Sequence, residues 1–121
     1  MNFEKSLKLI MKSALDAAKP KGKFRNLPQK PKGKLIVLGA GKAGASMAQE
    51  FEKAYDGPLE GLVITRHGHH TKTKFIKIIE ASHPEPDKNG LLATKKIFEL
   101  ATQSSKEDHV VFLISGGASS L

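Results

Sequence analysis

Apolar positions in the first eighteen residues fall at helical spacing. Phe3, Leu7, Ile10, Met11, Ala14, Ala17 and Ala18 make one stripe, which predicts an amphipathic helix over 3–18. Pro20 and Gly22 end it, and residues 19–33, rich in proline and lysine, form a surface loop. The pattern then becomes continuous. Residues 34–39 read as a strand in which everything after Lys34 is apolar without alternation, as expected of a parallel strand covered on both faces. A helix over 42–55 follows, with Ala43, Met47, Ala48 and Phe51 on its buried side, closed by Gly57-Pro58. Residues 61–65 and 75–80 are two more strands, separated by a polar segment. Pro84, Pro86 and Asp87 make a turn, and Asp87 is placed to cap a helix over 88–102. That helix would bury Leu91, Leu92, Ile97, Phe98 and Ala101. Residues 109–114 form a fourth strand.

This order predicts a three-layer, Rossmann-like α/β fold with a mostly parallel sheet, incomplete after its fourth strand. Residues 1–33 would be a helix and basic loop, and 34–121 a partial Rossmann-like domain. In such a sheet ligands bind beyond the carboxyl ends of the strands.

Two strands run into glycines at those ends. The first gives Gly39-Ala40-Gly41-Lys42-Ala43-Gly44, the second Ser115-Gly116-Gly117-Ala118-Ser119-Ser120. A strand that turns through glycines into a helix start is expected to offer free backbone N–H groups, which favour phosphate or carboxylate. The first turn matches the dinucleotide fingerprint in form, yet Thr65-Arg66 stands where that fingerprint needs an acid. NAD is therefore disfavoured, while Arg66 could meet the 2′-phosphate of NADP. The Walker pattern also fails, because Ala43 replaces the hydroxyl residue that would hold Mg²⁺. Lys42 can still neutralise a transferring phosphoryl group. For each turn the plainer alternative is structural: close helix packing for the first, an N-cap by Ser115 or Ser119 for the second.

Charge refines the picture. The chain has 121 residues and a formal net charge of +8. Residues 1–34 hold ten of the basic residues and two of the acids, so the whole excess lies there and the remainder is neutral. The bland reading is a solvated arm; the sharper one is a funnel for anions. Nucleic acid is a weaker partner, since Phe24 is the arm's lone aromatic after the first helix and no binding module is recognisable. There is no cysteine, which excludes disulfides and thiolate chemistry and fits a cytoplasmic setting. No apolar run approaches membrane-spanning length. His67, His69 and His70 lack the acidic partner and spacing of a metal site, so no metal ligands are assigned. His83, between a strand and a proline-stiffened turn, is positioned to contact an anion or move a proton.

Four segments together resemble the glycerate 2-kinase family, whose members carry a MOFRL-associated domain. They are Gly39-Ala40-Gly41-Lys42-Ala43; Val63-Ile64-Thr65 leading to Gly68-His69; Glu80-Ala81-Ser82-His83-Pro84-Glu85-Pro86-Asp87; and Leu113-Ile114-Ser115-Gly116-Gly117-Ala118-Ser119. The resemblance covers residues 34–121. It implies ATP-dependent phosphorylation of the 2-hydroxyl of D-glycerate with Mg²⁺, in a cleft between two α/β domains. It implies Lys42 as the active-site lysine, with Gly39, Gly41, His83, Ser115, Gly116, Gly117 and Ser119 lining the substrate or nucleotide site. It also implies that a second domain completes the site, so that this chain alone binds anions weakly and has little kinase activity. Two alternatives stay open: an NADP-binding domain of a hydroxypyruvate reductase-like enzyme, and a non-catalytic phosphosugar-binding module.

Overall fold

The computed structural model describes residues 2–121. Its elements are helix α1 (Phe3–Ala18), strand β1 (Leu35–Ala40), helix α2 (Gly44–Ala54), strands β2 (Leu59–Arg66) and β3 (Ile76–Ala81), helix α3 (Lys88–Thr102), strand β4 (His109–Ile114) and a single 3-10 turn (Ala118–Ser120). All four strands are parallel, in the order β3-β2-β1-β4. The chain steps outward from β1 to β3, then returns past it to lay β4 on the other side. Both glycine turns therefore leave neighbouring strands at the same edge, with Gly39 opposite Leu113 and Ala40 opposite Ile114.

The side-chain period of two divides the sheet into two cores. On one face Leu35, Val37, Val63, Ile76 and Leu113 pack against Ala48 and Phe51 of α2. On the other, Leu62, Ile64 and Ala81 meet Ala93, Ile97 and Leu100 of α3, with Leu121 tucked beneath. Phe51 is 2% exposed, a burial worth roughly 1.5–3 kcal/mol. Phe24, from the lysine-rich loop, meets its ring edge-on at 5.4 Å. Phe24 and Leu27 thus anchor the middle of that loop to the α2-side core.

Two expectations about faces need correction. Helix α3 does not use Leu91, Leu92 and Phe98, which are 58%, 56% and 67% exposed. Its buried contacts are Gly90 and Ala93, continued by Ile97 and Leu100. Small residues let the start of the helix lie close to the sheet: a Cβ on Gly90 would sit 2.7 Å from the Leu121 carbonyl oxygen and 3.5 Å from Ala81 Cβ. The stripe of α1 builds a helix but buries nothing. Asn2 caps it, accepting from the Lys5 amide, and Leu7, Ile10 and Met11 remain exposed.

Candidate functional site: a rim where two glycine turns meet

Strand β1 delivers Lys42 to the carboxyl edge and β4 delivers Ser115. The two turns are sewn together there. Lys42 N–H donates to the Gly116 carbonyl at 2.9 Å, Ser115 N–H to the Ala40 carbonyl at 3.1 Å, and Ala43 N–H to Ser115 Oγ at 3.0 Å. Glycines make this contact possible. Gly41 has φ +136, and a Cβ there would collide with Ser115 Oγ; a Cβ on Gly39 would collide with the Leu113 carbonyl oxygen.

The first turn consequently departs from what the sequence suggests. Its amides are engaged within the protein: Gly41 N–H donates to Ile64, Lys42 to Gly116, Ala43 to Ser115 and Gly44 to Gly41. Gly39 and Gly41 admit neighbouring backbone and the Ser115 hydroxyl, and the Gly41 amide has no capacity left for an anion. Gly44 has the packing role: a Cβ there would lie 2.9 Å from Val63 Cγ1.

The second turn behaves as expected. Among the described residues, no hydrogen bond engages the N–H of Gly116, Gly117, Ala118 or Ser119. Gly117 adopts φ 86, the left-handed region, and Ser120 Oγ donates back to its carbonyl. Lys42 and His83 lie against this bend. A Cβ on Gly117 would be 2.7 Å from His83 Nε2 and 3.2 Å from Lys42 Cγ, while one on Gly116 would be 4.0 Å from Lys42 Cε. The Lys42 side chain is exposed and its ammonium has no ion pair among the described residues. Lys42, His83, Ser115, Gly116 and Gly117 thus converge, and Ser119 follows on the same bend.

Three residues that position this rim were not singled out for it by sequence. Thr65, fully buried at the end of β2, donates from Oγ1 to the Gly41 carbonyl at 3.0 Å. His69 Nδ1–H donates to the Lys42 carbonyl at 3.1 Å. Asp87 caps α3 through Gly90 N–H at 2.8 Å and also accepts from Ser82 Oγ at 2.9 Å and Ser82 N–H at 3.2 Å. It thereby fixes the residue before His83, whose bond to Pro84 is cis. The amide of Gly90 first, then the Ser82 hydroxyl and His67, hold the Asp87 carboxyl below its ordinary value, against the opposing effect of burial. Of the other histidines, His67 lies 3.6 Å from Asp87 and His70 is exposed. The described residues contain no group of three His, Cys, Asp or Glu side chains able to hold a metal ion. Nor, among the described residues, is any helix long and apolar enough to cross a membrane.

Known proteins are similar to this chain in sequence and in fold. A putative hydroxypyruvate reductase of Agrobacterium vitis is 45% identical over 117 residues, covering 95% of this chain and 27% of its own. A D-glycerate 2-kinase of Thermotoga maritima is 34% identical over 115 residues, covering 93% and 28%. The crystal structure of a glycerate kinase from Thermotoga maritima superposes with a TM-score of 0.80 at 32% identity, over 97% of this chain and 30% of that one. A Pyrococcus horikoshii OT3 protein of known structure gives a TM-score of 0.83 at 30% identity, over 100% and 30%. The chain therefore spans less than a third of the length of these relatives. The profile of a domain of unknown function, DUF4147, matches residues 6–121, and this chain belongs to that family, with proteins named glycerate 2-kinase among its relatives.

Proposed function

We propose that this chain supplies the anion-holding wall of a glycerate 2-kinase site, in a protein that transfers a phosphoryl group from ATP to the 2-hydroxyl of D-glycerate. The observation that carries the reading is the run of four unengaged amides, Gly116 to Ser119, with Lys42 and His83 against it. Such amides hold a carboxylate or phosphate oxygen without reorganising, and an ammonium beside them stabilises charge that builds on a transferring phosphoryl group. Lys42 is the residue that neutralises it. His83 is within reach to orient an anion or hold a proton at Nε2. ATP brings the phosphoryl group, and the Ser115–Ser119 bend suits its phosphates. No three His, Cys, Asp or Glu side chains among the described residues are grouped to hold Mg²⁺, so no step on this chain is assigned to the ion. The remainder of a family-length protein would close the cleft, and turnover by these 121 residues alone is expected to be slight.

The name of the Agrobacterium vitis relative favours a second reading, an NADP-dependent reductase. The first turn argues against it. A pyrophosphate needs to approach Gly41 closely, and Ser115 Oγ already occupies that place.

Titration of the chain with tripolyphosphate, D-glycerate, ATP, sugar phosphates and NADPH separates these readings. The kinase reading requires ATP or D-glycerate to shift the amide resonances of Gly116 to Ser119. Lys42→Met should weaken that binding about tenfold, the worth of one charge-assisted contact. Saturable NADPH binding with those amides unmoved overturns it. A response confined to sugar phosphates points to the phosphosugar module.

A further inference from the structure

A groove of about 440 Å³ opens beside the rim, between the end of α1 and the start of α2. Ala43 and Ser115, the pair that joins the two glycine turns, form part of its wall, so it is continuous with the anion bend. The rest is mainly apolar: Ala17, Ala18, Phe24 and Met47. Phe24 is held by its edge-on contact with Phe51, which gives the groove one fixed aromatic wall, while Met47 is half-buried and adaptable. Lys23 also lines the groove, is exposed, and has no ion pair among the described residues. An apolar slot of this size, with a cation on its wall and Ser115, the residue before the free amides, at its edge, fits a ligand with a flat ring at one end and anionic groups at the other.

We infer that this groove is the base subsite for a nucleotide, holding the purine ring of ATP between Phe24 and Met47 while the phosphates reach Lys42 and the amides of Gly116 to Ser119. The inference rests on the kinase reading and adds where the nucleotide's apolar end sits. Charge complementarity supports this occupant: residues 1–34, which build one side of the groove, carry the whole net charge of +8. Ring and phosphates are chemically distinct, and the groove and bend divide between them.

The test uses methyl and amide NMR spectra of the 121-residue chain with three probes: adenosine, tripolyphosphate and ATP. Adenosine should shift the methyls of Ala18, Ala43 and Met47 and leave the Gly116–Ser119 amides in place. Tripolyphosphate should do the reverse, and ATP should move both sets. Ala17→Trp, on the exposed surface of α1, fills the groove and should lower ATP affinity about tenfold with tripolyphosphate unchanged. If tripolyphosphate and ATP move the amides equally well while the methyls stay unmoved and Ala17→Trp has no effect, the base subsite is wrong and the anion wall stands. If no probe binds, both fall. Methyl shifts that follow protein concentration and not adenosine identify a second copy as occupant and overturn the proposal.

Discussion

Ser115 Oγ accepts a hydrogen bond from Ala43 N–H at 3.0 Å across a separation of 72 residues, so the start of α2 is capped by a side chain from the turn that follows β4. Helix α2 has no side-chain cap of its own at Ala43. The residue that looks like an ordinary local N-cap of its own turn serves instead as the link between two turns.

Ser115→Ala should therefore destabilise the protein by about 1 kcal/mol, the usual cost of losing a capping acceptor. Urea unfolding followed by circular dichroism measures it. An unchanged midpoint would show that water replaces the hydroxyl without loss.

Gly41→Ala should be more damaging. The new Cβ meets Ser115 Oγ at a φ of +136, which L-residues rarely adopt. Backbone strain alone costs roughly 1–3 kcal/mol, and the displaced hydroxyl adds to it. Combining the change with Ser115→Gly should recover part of the loss in the same unfolding assay, since the contact with the hydroxyl is removed while the 2.7 Å approach to the carbonyl oxygen of residue 115 and the strain stay.

Asp87 links stability to pH. Its carboxyl is held below the ordinary 3.8 by the Gly90 amide first, then by Ser82 and His67. A folded-state value below the unfolded one means the stabilisation is fully present above the unfolded value and is lost as pH falls through the folded one. Thermal melts from pH 5 down to about 2 should show an acid limb that is shallower in Asp87→Asn. Asparagine retains a capping oxygen but has no charge to titrate.

Tyr55 stacks on Phe51 at 5.9 Å, yet its hydroxyl is buried with no hydrogen-bond partner among the described residues. Tyr55→Phe removes an unsatisfied polar group and keeps the ring. Stability should be unchanged or rise by about 1 kcal/mol; a loss in the thermal melt would mean that the hydroxyl is hydrated.

Strands, the Asp87 cap and the carboxyl-edge location of both glycine turns are legible in the sequence because they depend on local patterns. The period of the apolar runs and the turn residues leave few alternatives. The contacting face of α3 is not legible. Hydrophobicity points to Leu91, Leu92 and Phe98, whereas the close approach of helix to sheet selects Gly90 and Ala93. The state of the first turn is hidden for a different reason. Whether its amides are free depends on Ser115 and on the Ile64 carbonyl, partners distant in sequence. Thr65 and His69 act on the backbone of that turn in the same way, and only their proximity in space reveals it.

Strand β4 comes last among the strands in chain order yet lies beside the first, and the rim exists only after that pairing forms. A nascent chain from which residues 109–121 have not yet emerged would thus hold Lys42 with nothing opposite it. On the proposed function, capture of phosphate or carboxylate at this edge becomes a reporter of completed folding: a ligand present at saturating concentration would slow the peeling away of β4 and protect the Ser115 amide, which donates to the Ala40 carbonyl, from solvent exchange.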